Sequence, residues 1–124
     1  MATDTPRELC GTSIYQIFIR NYSAEGTFDA ALPALDAAVR LGFDIVYLTP
    51  IHPVGEAARK GSLGSPYAIR DYRAVDPTLG GEAGFRRFID AAHGKGLSLL
   101  IDVVFNHTSP DSVLAREHPE WFWK

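Results

Sequence analysis

The chain has 124 residues, 46% of them apolar and 22% charged, a balance that excludes disordered, collagen-like and coiled-coil classes. Its 12 Lys and Arg against 15 Asp and Glu leave a formal charge of −3, so it lacks the basic footprint that phosphate backbones need, and nucleic acid is not expected as a partner. No run reaches membrane-spanning length and no basic region precedes an apolar one at the amino terminus, while the single cysteine, Cys10, fits a structural thiol in a reducing compartment; the expectation is a cytoplasmic chain with no membrane partner.

Ile14-Tyr15-Gln16-Ile17-Phe18-Ile19 is short and rich in branched and aromatic residues, which predicts a buried first strand broken off by Gly26. Pro33, Leu35, Ala38, Val39 and Leu41 then predict a helix, with proline tolerated in the first turn where its missing amide has no partner, and Gly42 as a left-handed stop. Ile45 to Thr49 predicts a second strand, ended by Pro50, which cannot donate to a sheet ladder. Phe85, Phe88, Ile89 and Ala92 recur at helical spacing, with Arg86, Arg87 and Asp90 on other faces, and Gly94 and Gly96 close that helix. Leu97 to Val104 is apolar apart from Ser98 and Asp102, the mark of a parallel strand covered on both faces. The order is therefore α/β: strand, helix, strand, helix, strand. Two turns of one unit, with a long insertion in the second, should connect by right-handed crossovers.

The insertion runs from Pro50 to about Gly81, and Leu63, Tyr67, Ile69 and Tyr72 give it apolar anchors. Long loops leaving the carboxyl ends of parallel strands are where such folds put ligand chemistry. Asp102-Val103-Val104-Phe105-Asn106-His107 sets a carboxylate in an apolar strand, which is costly unless a cation or several donors meet it. Spacing alone favours a satisfied polar core residue followed by an ordinary turn.

Taken together, these motifs resemble those of the alpha-amylase superfamily of glycosidases, glycoside hydrolase family 13. Ile14 to Tyr22 is similar to its first barrel strand and Leu48-Thr49-Pro50-Ile51 to its second. Gly64-Ser65-Pro66-Tyr67-Ala68-Ile69-Arg70-Asp71-Tyr72 is similar to the loop before its second helix, and Asp102 to His107 to its first sequence signature. The resemblance covers nearly the whole chain and implies the first three strand-helix units of a (β/α)8 TIM barrel, incomplete. It divides the chain into 1–110, the amino-terminal portion of the catalytic domain, and 111–124, the start of a loop domain inserted after strand three, where His118-Pro119-Glu120-Trp121-Phe122-Trp123 opens it.

For the site, the resemblance implies that Tyr67 stacks on the sugar at the cleavage subsite, a flat ring against an apolar C–H face. It implies that His107 hydrogen-bonds a hydroxyl of that sugar, and that Asp102 orders the floor through an arginine on strand four. Asn106 matches a position that in many alpha-amylases ligates Ca2+ through its hard amide oxygen, and that is structural in relatives without the metal; both readings stay open. Asp71 and Tyr72 match a helper pair near the subsite. The plain alternatives are a rim anchor for Tyr67 and an exposed loop imidazole for His107.

Retaining glycosidases need two carboxyl groups roughly 5 to 5.5 Å apart, which the family places at the ends of strands four and five. The sequence stops at Lys124, just past the third strand, and a whole barrel takes about 250 residues. Asp71, Asp102 and Asp111 are the tempting substitutes, and nothing pairs two of them. The expectation is a fragment of a retaining hydrolase or transglycosidase acting on alpha-glucan or maltooligosaccharide, carrying part of the subsite, with no catalytic acid within this chain and no activity alone. Open strand edges, and Asp102 without its arginine, predict marginal stability or self-association. Asn21 to Gly26 does not supply an acid-rich metal loop, so no cofactor is certain. A non-catalytic carbohydrate-binding or assembly role is the alternative. A phosphate-binding doubly wound module fails on its glycines, since Lys60 precedes Gly61 and no Gly-x-Gly-x-x-Gly follows the first strand. Zinc fails too, because His52, His93, His107 and His118 are not spaced as a helical pair.

Overall fold

The three apolar runs form three strands. In the computed structural model, which describes residues 4–123, β1 (Ile14–Ile17), β2 (Ile45–Leu48) and β3 (Ser98–Ile101) make one parallel sheet in the order β1-β2-β3. The outer limits of the two expected domains, residues 1–3 and 124, lie outside the described residues. Ile14 pairs with Ile45, and Ile45 with Ser98, so each step of the sheet is made by neighbours in sequence. Parallel neighbours need long crossovers. One turn of helix, α1 (Ile19–Tyr22), follows β1; α2 (Leu32–Leu41) leads into β2, α3 (Gly81–Gly94) into β3, and α4 (Val113–Glu117) lies in the last segment.

Both long helices cover one face of the sheet. Val46 and Leu48 alternate along β2 and are buried with Leu35 and Ala38 of α2, Phe88 and Ala92 of α3, and Phe28 from the loop before α2. The rings of Phe28 and Phe88 lie 5.9 Å apart and tilted, a favourable aromatic contact. Each large apolar side chain so buried contributes roughly 1.5–3 kcal/mol. Gly42 ends α2 in the left-handed region (φ 81°), and Phe43 N–H donates back to the Ala38 carbonyl at 3.0 Å. A Cβ at that φ would be strained, which is why the helix stops at this glycine.

Two strand ends differ from the sequence expectation. The first strand stops at Ile17 rather than Ile19, because the chain turns at Phe18 into the single helical turn of α1. The third stops at Ile101 rather than Val104, although Asp102 N–H still donates to the Leu48 carbonyl at 2.9 Å. Nor is it covered on both faces: Leu100 is 46% and Ile101 38% exposed. Here β3 is a sheet edge, and its apolar sequence is written for neighbours beyond the described sheet.

The loops at the carboxyl ends of the strands pack on one another. An antiparallel bridge joins Val54 to Ile69, with Gly55 N–H donating to Ala68 O at 2.9 Å. The segment after β3 docks on this pair through Ser109 N–H to Ile69 O at 3.0 Å and Val113 N–H to Arg70 O at 2.8 Å. Asp111 ties the layers together, accepting from Ser109 Oγ and from Glu56 N–H at 2.9 Å. Those two donors hold its carboxyl down at about 2. Gly55 sits where a Cβ would lie 1.7 Å from Ser109 Oγ, so no other residue fits between the layers.

Candidate functional site: a carboxylate between two phenols

The carboxyl end of the sheet carries one polar cluster. Tyr47 alternates with Val46 and Leu48, so it points to the face that the helices do not cover. The register sets Leu100 beside Tyr47, and Asp102, two residues on, emerges on that same face just past the end of β3. The Asp102 carboxyl lies close enough to the phenols of Tyr47 and Tyr67 to act on both. Asp102 raises the Tyr47 phenol above its ordinary value, with burial adding to it. For Tyr67 burial is the larger cause and Asp102 the second. Phenols are the kind of donor that a carboxylate at the end of an apolar strand needs nearby.

Tyr67 reaches Asp102 from the long loop. Its amide donates to Ser65 Oγ at 3.2 Å and the next amide, Ala68 N–H, to Ser65 O at 3.0 Å, closing a tight turn. The ring stays 37% exposed beside Asp102, which leaves aromatic surface free for a ligand. Among the described residues Asp102 makes no ion pair.

His107 and Asn106 lie on the segment after Asp102, exposed, beside an open cleft of about 1100 Å³. Tyr72 fixes that segment: its hydroxyl sits 2.7 Å from Val104 O and 3.0 Å from His107 O, a shared donation. The same cleft is lined by Trp121 and Trp123, so these aromatics face the opening instead of joining the core. Trp121 stacks flat on His118 at 3.9 Å. Asp71 turns back to accept from Arg73 N–H at 2.9 Å, a local turn that leaves only Tyr72 of the helper pair beside the cleft. The structure thus brings Tyr67 and Asp102 together, while His107 and Asn106 line the open cleft that the segment after Asp102 borders. Among the described residues no group of three or more His, Cys, Asp or Glu side chains could hold a metal ion. Asn106 is exposed, with its amide oxygen open to a ligand.

Sequence reasoning missed Tyr47. Its signal was present in the alternation Val46, Tyr47, Leu48, where a phenol stands on the face opposite two residues of the core. No helix of the described residues is long and apolar enough to cross a membrane.

The alpha-amylase catalytic-domain model matches residues 16–120. An alpha-1,4-glucan:maltose-1-phosphate maltosyltransferase from Salinibacter ruber is 40% identical over 88% of this chain and 20% of its own. The chain spans about a fifth of the length of the curated relatives it matches. Among solved structures, an alpha-amylase from Lactobacillus plantarum superposes with a TM-score of 0.90 at 51% identity, over 94% of this chain and 28% of that one. A maltogenic alpha-amylase from Thermotoga neapolitana gives a TM-score of 0.84 at 42% identity, over 90% and 27%. The parallel strand-helix units are therefore part of the barrel that these enzymes share.

Proposed function

Since this chain belongs to the alpha-amylase catalytic-domain family, we propose that it forms the opening sector of a retaining glycosidase or transglycosidase acting on alpha-glucosidic linkages. Residues 1–110 would be the first part of the barrel and 111–124 the start of the domain inserted after strand three. The sector supplies part of the sugar subsite, and later strands supply the two carboxyl groups of the reaction. Maltooligosaccharide is the substrate class that relatives named as amylases and glucan maltosyltransferases favour.

The observation that carries the reading is the convergence of Tyr47 and Tyr67 on Asp102 at the carboxyl end of a parallel sheet. Barrel enzymes build their sites at that end. Tyr67 presents a ring face to the C–H face of a glucose unit. Asp102 serves as an anchor for the two rings and not as the attacking group, because both phenols lie beside it. His107, lining the open cleft, offers an imidazole to a sugar hydroxyl. Binding and orientation of the ring are the tasks of this sector; bond cleavage belongs to the carboxyl pair.

The test is Tyr67→Ala in the whole protein that carries this sequence. Loss of the stacking face should lower kcat/KM for maltoheptaose about 10- to 100-fold. A value within about twofold of the parent, or a whole protein lacking acids after its fourth and fifth strands, contradicts the reading. A second reading, carbohydrate binding without catalysis, draws on the exposed Trp121 and Trp123 beside the open cleft. Maltose titration of the 124-residue chain, followed by tryptophan fluorescence, would reveal it as a saturable change.

A further inference from the structure

Arg20 lies far from Tyr67 in sequence and next to its loop in space. It follows β1 in the turn of α1, with its guanidinium carbon 5.1 Å from the Phe18 ring centroid. Nη1 donates to Leu63 O at 3.1 Å and Nη2 to Gly64 O at 3.0 Å. A planar fork that grips two successive carbonyls fixes both the position and the tilt of the chain it holds. Gly64 is in the left-handed region (φ 66°), and from there Ser65 folds back to accept the Tyr67 amide. Arg20 therefore attaches the start of the turn from which Tyr67 rises.

A second guanidinium works inside the same loop. Arg59 donates to Gly55 O at 2.8 Å, Val54 O at 3.1 Å and Ser62 O at 3.3 Å. It closes the loop on itself but does not tether it to the strands. That tether is Arg20, and its root is walled in. Behind it lies a cavity of about 10 Å³ bordered by Arg20, His52, Thr49, Pro66 and Asp76. Arg20 Nε and His52 Nε2 are both buried there without a protein partner. The space suits one water, which can accept from Arg20 Nε–H and donate to His52 Nε2. That imidazole edge is an acceptor when Nδ1 carries the proton and donates to Ala74 O at 2.9 Å.

We propose that Arg20 is a positioning residue for the sugar subsite, fixing through Leu63 and Gly64 the turn that delivers Tyr67 to Asp102. Its consequence for sugar binding rests on the subsite reading of Tyr67; its consequence for the ring's position does not.

The experiment uses the whole protein with 3-fluorotyrosine placed at Tyr67 or, separately, at Tyr47, in the parent and in Arg20→Gln and Arg20→Lys. In Arg20→Gln the Tyr67 fluorine resonance should move toward that of free fluorotyrosine, and the Tyr47 resonance should move less, since its strand position does not depend on Arg20. KM for maltoheptaose should rise about tenfold with kcat within about threefold. Arg20→Lys keeps the charge but can reach only one carbonyl at a time, so it should recover part of both effects and tests the idea if the glutamine variant does not fold. An unmoved Tyr67 resonance in either folded variant overturns the proposal, whatever the kinetics. A moved resonance in a protein that neither binds nor cleaves maltooligosaccharide upholds the positioning role and removes the subsite reading instead.

Discussion

The two faces of the sheet are finished by different means. Under the helices, Val46, Leu48, Leu35, Ala38, Phe28 and Phe88 are all fully buried by partners from this chain. On the other face, Tyr47, Asp102 and Tyr67 make one polar cluster, and Leu100 of the edge strand stays partly open. The covered face is built by strand-helix units whose packing partners all lie within this chain. The open face has the sequence of a barrel interior, so its apolar residues and its carboxylate are complete only when further strands close the cylinder.

The largest effect that separates the faces is on stability. Phe88→Ala empties the best-packed site of the covered face and should cost about 3–5 kcal/mol, whereas Leu100→Ala in the same chain should cost less than about 1 kcal/mol. Chemical denaturation of both variants checks this, and equal losses would mean that the open face is already packed in the 124-residue chain.

A smaller change probes how the loops above the sheet are joined. Gly55→Ala would put a methyl 1.7 Å from Ser109 Oγ and 2.5 Å from Asp111 Oδ1, so the two loop layers must separate. Overpacking of this kind costs about 1–3 kcal/mol. Amide exchange should quicken at Ser109 and Val113, whose N–H groups bridge the layers, and stay slow in β2. Exchange that rises evenly through the sheet would show that the loops and the covered face unfold as one unit.

The smallest effect concerns pH. Asp111 is held at about 2 by its bonds from Ser109 and the Glu56 amide, below the 3.8 of a free side chain. A depressed folded value gives stabilisation that is present above about 4 and lost as pH falls toward 2. The parent should lose stability over that window and Asp111→Asn should lose less. Parallel acid titrations of the two proteins decide it.

Local pattern revealed the covered face and very little of the site. The apolar runs placed all three strands, and Gly42 ended α2 as expected, because these features depend on neighbours within a few residues. The ends of β1 and β3 were harder to see: Phe18 and Ile19 are as apolar as the strand before them, yet the chain turns there, and Val103 and Val104 are suited to a strand whose neighbour lies outside the described sheet. Tyr47, Tyr67 and Asp102 are drawn from three distant stretches, and no periodicity links them. Resemblance supplied Tyr67 and Asp102; only the register of β2 against β3 supplies Tyr47. Arg20 was invisible for the same reason, since its partners are 43 and 44 residues away.

If the carboxylate and its two phenols form the floor and wall of a glucose site, a crystal structure of the whole protein soaked with maltotriose should show a sugar ring lying on the face of Tyr67, with His107 in reach of one of its hydroxyls. Maltotriose bound only between Trp121 and Trp123, with the ring of Tyr67 bare, would contradict it.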